Sequence, residues 1–296
     1  MTIRDELQAA LRRGCATLDR DRIDAIRQFL ALFEVADGGF RGPGGASSDL
    51  YYTMFGCQCI AALDESPQDA AVAGQYLDHC WRSQSLDLIH LACLARCWAA
   101  IAAEIPPGLA EQILIRVEAH RSDDGGYAQT PGSPAGSAYD AFLALGAYQD
   151  LGRALPDPQR LAQAVEALAS PGGGYTNSLL IPIANVPATA AAMIVLRHVG
   201  RPVEARHAEW LARQCHAGFV AWEGAPQPDL LSTAVALHAL KSSGASLEGV
   251  RDACGEFVHT ACRHESGAFR SSDGDDAMVD VEYLYYGLLA CGSLAQ

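Results

Sequence analysis

Basic residues are in short supply. The chain has 21 Lys and Arg against 35 Asp and Glu, a formal net charge of -14. A surface of that sign repels phosphate backbones and anionic headgroups, which sets nucleic-acid binding aside. Also missing is any apolar run near the roughly 18 residues that span a bilayer, so no membrane span is expected. The opening MTIRDELQAALRRGC mixes charges into its apolar positions and has no uninterrupted apolar core. It reads as an amphipathic helix and not as a secretory leader, and the expected location is cytoplasmic. No CxxC pair occurs among the ten cysteines, which removes a zinc ribbon or a thioredoxin-like site. Most of those cysteines lie inside helical apolar patterns, where a reduced thiol acts as a small hydrophobe. Period-two alternation of any length is absent as well, which speaks against a sheet.

What is present is repetition. Six segments fall into register when the starts of the apolar helices are aligned: DLYYTMFGCQCI from Asp49, DLIHLACLARCW from Asp87, GSAYDAFLALGA from Gly136, NVPATAAAMIVL from Asn185, DLLSTAVALHAL from Asp229 and DVEYLYYGLLAC from Asp280. The starts lie 38, 49, 49, 44 and 51 residues apart, room for two helices and two connections per unit. Each of these helices is apolar nearly all round, the mark of a buried inner element.

A more polar, amphipathic helix precedes each one, at about 21–35, 67–83, 107–120, 158–169, 203–215 and 247–262. Ser66-Pro67 and Asp157-Pro158 pair a capping residue with a first-turn proline, and Ser246 is placed to cap the last of the six. Between outer and inner helix stands a Gly-aromatic turn: DGGF at 37–40, DGGY at 124–127, GGGY at 172–175, AGF at 217–219 and GAF at 267–269. The second unit has only the short link RSQSLD. Six hairpins of alternating exposure, closing once on themselves, predict an all-α fold: a single α/α barrel (toroid) with six inner and six outer helices over residues 21–296, after an N-terminal helical lead-in at 1–20. Such a barrel has one cavity. Its open end gathers whatever the inner helices carry at their N-termini.

Those N-termini are acidic or amidic. Asp49, Asp87, Asn185, Asp229 and Asp280 stand where a helix prefers its N-cap, and capping accounts for all five. Glu282, in the first turn after Asp280, answers the helix dipole equally well. Asp140 lies one turn inside its helix next to Tyr139, so its carboxylate should enter the cavity or meet an aromatic hydroxyl. His90, Cys93 and Cys97 fall at i, i+3 and i+7, either a packing stripe or a metal face. Cys59 and Cys97 share a depth on adjacent inner helices. Asp273–Asp276 reads as a solvated acidic loop.

The Gly-aromatic turns and inner-helix openings resemble the repeats of protein prenyltransferase β subunits and of squalene-hopene-type (class II) terpene cyclases, and Arg213–Trp222 (RQCHAGFVAW) resembles a degenerate Gln-to-Trp repeat of the cyclases. The resemblance runs from about residue 21 to 294. Protein prenyltransferases hold zinc with an Asp-x-Cys pair opening the fifth inner helix and a histidine opening the sixth. Here Asp229 is kept, but Leu231 stands at the cysteine and Tyr283 at the histidine. The basic residues those enzymes place ahead of the ligand aspartate, for diphosphate, are replaced by WEGAPQP with Glu223. The resemblance therefore implies no zinc and no cofactor.

Class II cyclases start instead by protonating an alkene or epoxide from a DxDD aspartic acid. Asp273-Gly274-Asp275-Asp276 matches literally but precedes the helix, whereas Asp280-Val281-Glu282-Tyr283 has the right register as DxEY. In that alignment Glu282 is the proton donor, Asp280 its companion, and Asp229 and Asp140 complete the acid cluster. Asp49 and His90 join Tyr52, Tyr139, Tyr283 and Tyr286 as pocket residues, with Tyr51 and Tyr285 beside them; such rings face developing cations well. The expectation is an enzyme that takes a hydrophobic, isoprenoid-like small molecule through acid-initiated carbocation chemistry. Two other readings stay open: a non-catalytic toroid that binds a lipid or a partner, and a metalloenzyme with ligands from His90, Cys93, Asp229 and Glu282. Protein prenyltransferases work with a second subunit, so a partner subunit or a homo-oligomer also stays open.

Overall fold

Helices that are apolar on every side can satisfy their surface only by being enclosed, and the chain encloses six of them. The computed structural model describes residues 1–63, 70–83, 85–101, 104–274 and 276–295. After α1 (Ile3–Ala16), outer helices α2 (Arg20–Phe33), α4 (Ala70–Ser83), α6 (Leu109–Glu118), α8 (Pro158–Glu166), α10 (Ala205–Arg213) and α12 (Arg251–Glu256) alternate with inner ones. The inner helices are α3 (Leu50–Ala62), α5 (Leu88–Ala100), α7 (Ala138–Asp150), α9 (Val186–His198), α11 (Leu230–Ser242) and α13 (Val281–Leu294). Each inner helix packs on the next, and α13 closes the ring on α3. Five inner helices are 13 residues long and the sixth is 14, so the barrel wall has one height, about 20 Å at 1.5 Å per residue.

The expected α/α toroid is what the chain forms. Two details differ. Ser246 does not cap the last outer helix: it accepts from the Glu248 amide in a turn, and α12 begins only at Arg251, continuing as a π-turn over Phe257–Ala261. An antiparallel hairpin, β1 (Thr176–Ser178) and β2 (Ile181–Ala184), rises between the third Gly-aromatic turn and α9. Asp157 caps α8 as expected, accepting from the Arg160 amide at 3.2 Å, whereas Ser66 and Pro67 lie outside the described residues.

The Gly-aromatic turns are the joints of the ring. In each, the aromatic bridges back to the end of its outer helix: Glu34 with Phe40, Arg121 with Tyr127, Ala169 with Tyr175, Cys215 with Phe219 and Arg263 with Phe269. The five rings are essentially inaccessible. Gly38, at φ +88°, makes the first turn in the left-handed region, and a Cβ there would strike the backbone of Ala73 on the next outer helix. Gly267 sits in the same way against Ala25 of α2, which joins the last unit to the first.

The lead-in helix is part of this architecture. α1 packs along α13 and crosses the C-terminal ends of the inner helices. Its polar groups meet the carbonyls and side chains gathered there: Arg4 Nη1 donates to Ala99 O at 2.7 Å, Gln8 Nε2 to Gln58 O at 3.3 Å and Arg13 Nε to Gly292 O at 3.2 Å. The last four carbonyls of a helix, Ala99 and Gly292 among them, lack intrahelical donors, so α1 both supplies donors there and closes the barrel's lower end. Gly14 and Gly292 allow the approach, because a Cβ on either would fall onto the backbone carbonyl of Leu288 or Ala10.

Candidate active site

Every inner helix starts with a side-chain cap. Asp49, Asp87, Ser137, Asn185, Asp229 and Asp280 each accept from a first-turn amide of the helix that follows. Three of them come with a threonine four residues on. Thr53, Thr189 and Thr233 accept the buried amide of Phe40, Tyr175 and Phe219, each at 2.9 Å, and donate to the cap residue's carbonyl at 2.7 Å. The spacing Asp/Asn-x-x-x-Thr, at 49/53, 185/189 and 229/233, is a signal that the sequence itself carries.

Inside the ring lies a cavity of about 460 Å³, within the size range of small-molecule sites. Tyr51, Tyr139 and Asn185 line it near the mouth, Phe55, Phe142 and Tyr286 lie along its wall, and Leu7 of α1 reaches it from below. Ring contacts run along the wall, edge-on for Tyr51–Phe55 at 5.0 Å and tilted for Phe55–Tyr286 at 5.8 Å, and continue to Tyr283, 6.4 Å from Tyr286; contrary to expectation, Tyr52 and Tyr283 do not line the cavity themselves. Tyr52 stands edge-on to Tyr51 at 5.4 Å. Tyr139, at the rim, is held through its amide by Asn177 of the hairpin.

The carboxylates separate into two groups. Glu282 accepts from the Tyr51 hydroxyl at 2.8 Å, across the seam where α13 meets α3. Burial raises its pKa and neighbouring Asp280 adds to that, against the Tyr51 hydrogen bond. Asp280 is 1% exposed. One of its oxygens accepts the amides of Glu282 and Tyr283 at 3.0 and 3.1 Å, while Oδ2 is buried without a hydrogen-bond partner among the described residues. Burial raises its pKa too. A charged carboxylate with an orphaned oxygen is disfavoured in such a place, and the neutral acid is favoured. Asp229, capping α11 through the Ser232 amide at 2.7 Å, is likewise raised by burial. It lies near enough to Tyr283 that the two act on each other, and burial followed by the neighbouring carboxylates Glu282, Asp280 and Asp229 pushes the Tyr283 hydroxyl up to about 12.

Asp140 belongs elsewhere. Contrary to expectation it neither lines the cavity nor meets an aromatic hydroxyl: Ser137 Oγ donates to it at 2.7 Å and Gln129 Nε2 at 3.3 Å. Ser137, the actual cap of α7, turns the carboxylate back over the helix start. His90 also turns back, with Nδ1 2.7 Å from Asp87, and only Cys93 of the expected stripe reaches the cavity. Asp49 binds the Tyr51 and Tyr52 amides at 2.8 and 3.3 Å. Among the described residues no three His, Cys, Asp or Glu side chains come together as a metal site, so the ligand set His90, Cys93, Asp229 and Glu282 does not assemble. The hydrogen-bonded neighbour of Cys97 is Cys57, not Cys59. In the acidic loop, Asp273 is exposed beside Arg270, and Asp275 lies outside the described residues.

Two lining residues went unnoticed in the sequence. Arg96 is a cavity-lining cation whose Nε lies 2.7 Å from Asp150, itself buried and also facing Arg4 at 3.3 Å. His238 sits on the same face of α11 as Leu231 and Val235, deep in the cavity. No helix among the described residues is long and apolar enough to cross a membrane.

Several solved structures share this architecture. A variant of the type II terpene cyclase MstE from Scytonema, in complex with geranylgeranyl dihydroxybenzoate (substrate), superposes with a TM-score of 0.67 at 16% identity, covering 97% of each chain. A second MstE variant, in complex with merosterolic acid A (product), gives 0.65 at 14% identity over 96% of this chain and 97% of that one. Candida albicans protein geranylgeranyltransferase-I complexed with GGPP gives 0.57 at 13% identity, over 99% of this chain and 91% of that one. At such identities the likeness concerns the fold alone. No curated relative matches in sequence. The prenyltransferase alpha-alpha toroid domain matches residues 8–166 and 140–296, two overlapping stretches that together run nearly the length of the chain. The chain belongs to the prenyltransferase alpha-alpha toroid family.

Proposed function

We propose that the protein is a cyclase-like enzyme that takes an isoprenoid-like substrate into the barrel and starts a carbocation reaction by proton transfer from the Glu282–Asp280 acid pair. The observation that carries the reading is the buried Oδ2 of Asp280, without a hydrogen-bond partner among the described residues, beside Glu282, whose own partner Tyr51 lines an aromatic cavity. Burial raises both carboxyls above their ordinary values, which favours the protonated form that such a step needs. In the first step the alkene π pair of the substrate takes the acid's proton. The O–H bond breaks, a C–H bond forms, and the carboxylate left behind is held by Tyr51. The tertiary cation then lies among Phe55, Tyr286 and Phe142, whose ring faces stabilise positive charge and whose bulk excludes water. Prenyl transfer from a diphosphate fits poorly, because the lining guanidinium, Arg96, is already taken by Asp150. In keeping with this reading, a structural neighbour holds geranylgeranyl dihydroxybenzoate as its substrate.

Asp140, Asp49 and His90 are assigned structural parts at helix starts, and Asp229 a supporting charge near Tyr283. The test is incubation with geranylgeraniol and with geranylgeranyl dihydroxybenzoate, followed by product analysis, for the wild type, Glu282→Gln and Asp229→Asn. Wild type should form cyclised products, and Glu282→Gln should abolish them while its thermal midpoint holds or rises. The second reading, a toroid that binds lipid without turning it over, is favoured by the completeness of the caps. It wins if Glu282→Gln and Asp229→Asn both lose stability and the wild type binds either lipid unchanged.

A further inference from the structure

His238 is the odd residue on its face. Leu231 and Val235, seven and three residues before it, present an apolar stripe of α11 to the cavity, and the stripe then ends in an imidazole. That ring is 5% exposed and takes no hydrogen bond among the described residues. A side chain with two nitrogens has been placed where a leucine would pack without loss, and nothing in the protein uses it. It stands nine residues after the cap Asp229, which puts it about 13 Å below the mouth along the helix. The acids themselves do not line the cavity, but Tyr51, whose hydroxyl donates to Glu282, lines it near the mouth, and the imidazole lines it deeper down.

We propose that His238 is the proton acceptor that ends the reaction begun at Glu282, an inference that rests on the cyclase reading above. The surroundings suit this part. Glu6 and Arg13 of α1, and Arg197 and His198 of α9, are the charged or titratable groups nearest the ring. Glu6 is already engaged by Arg197 at 2.9 Å and lies 3.4 Å from His198. Burial first, and the two arginines after it, outweigh Glu6 and hold the imidazole pKa down at about 4, so the ring rests neutral with a lone pair available. The step balances. A C–H bond next to the last cationic carbon breaks, its electron pair becomes the product alkene, and the proton moves to the ring nitrogen. The imidazolium then loses that proton to water as product leaves, and Glu282 regains one from solvent at the mouth. The net reaction is an isomerisation with one proton in at the rim and one out at the floor. The substrate class follows: a chain with no leaving group that folds within the roughly 13 Å from the cavity mouth to the imidazole.

The experiment uses wild type, His238→Phe and His238→Asn, each checked for an unchanged thermal midpoint, with geranylgeraniol as probe. In His238→Phe the alkene product of wild type should fall at least about ten-fold as a share of all products, in favour of water-captured alcohols or alkenes lost from earlier cations. In parallel, binding of geranylgeranyl dimethylamine, protonated at pH 7, reads the acceptor without turnover: wild type should bind it about ten-fold tighter than His238→Phe and bind geranylgeraniol equally. Unchanged product ratios in both variants overturn the inference while leaving the cyclase reading standing. If wild type consumes no geranylgeraniol the cyclase reading fails on that probe, and the amine decides: equal affinity in wild type and variant overturns the acceptor as well. Should His238→Phe fail to fold, His238→Asn carries the same two outcomes.

Discussion

At the scale of single residues the chain distinguishes caps that merely end a helix from caps that are wired into the turn beneath. Asp87→Ala removes an exposed cap and should lower stability by about 1 kcal/mol. Thr233→Val strips the acceptor from the buried Phe219 amide and should lower it by about 1–3 kcal/mol, read by urea unfolding of the two variants side by side. Titration separates the acid pair from His238 by sign. The Asp280 and Glu282 pKa values are raised in the folded chain, so they favour folding most below their ordinary values of 3.8 and 4.5, and that contribution is lost as pH rises through the folded values. His238 is lowered from 6.5 to about 4, so its contribution is present above 6.5 and lost as pH falls toward 4. Thermal midpoints between pH 4 and 8 should therefore show less acid-side loss in His238→Phe and less loss on the alkaline side in Glu282→Gln. The caps were readable from the sequence because capping is local: five were placed by residue type alone. Asp140 was misplaced because its orientation is set by Ser137 and by Gln129, eleven residues away, and no spacing rule reports that.

At the scale of elements, the six inner helices were legible from their unbroken apolar character. That same character hid the cavity wall: a helix with no polar face gives no sign of which side looks inward. Leu231, Val235 and His238 share one face of α11, yet only the closed ring shows that it faces the space inside. The outer helices were placed well but ended short, since Gly-aromatic turns take over before the amphipathic pattern fades. α1 was read as a lead-in, and the structure makes it the floor. Gly14 and Gly292 are where α1 and α13 nearly touch, so Gly292→Ala must push the helices apart and should lower stability by about 1–3 kcal/mol or more. It should also admit water to the cavity floor, which quenching of a bound hydrophobic fluorophore would detect. A melting curve identical to wild type would show that the two helices have slack.

At the scale of the whole molecule, the ring is closed by α13 on α3 and by Gly267 on α2, so no unit is terminal. An open solenoid loses its end repeats first. This chain should instead unfold in one transition, with fluorescence and circular dichroism coinciding, and deletion of residues from 247 onward should leave no folded remainder. The position of α1 has a further consequence, for synthesis. Its apolar side, with Ile3, Leu7 and Leu11, leaves the ribosome long before its main partner α13. At translation speeds of about 5–20 residues per second that side waits roughly 15–60 s for its mate. Until then the barrel has neither a sealed seam nor a floor, so the growing chain cannot enclose a greasy molecule by accident, and the cavity comes into being only once α13 has been made.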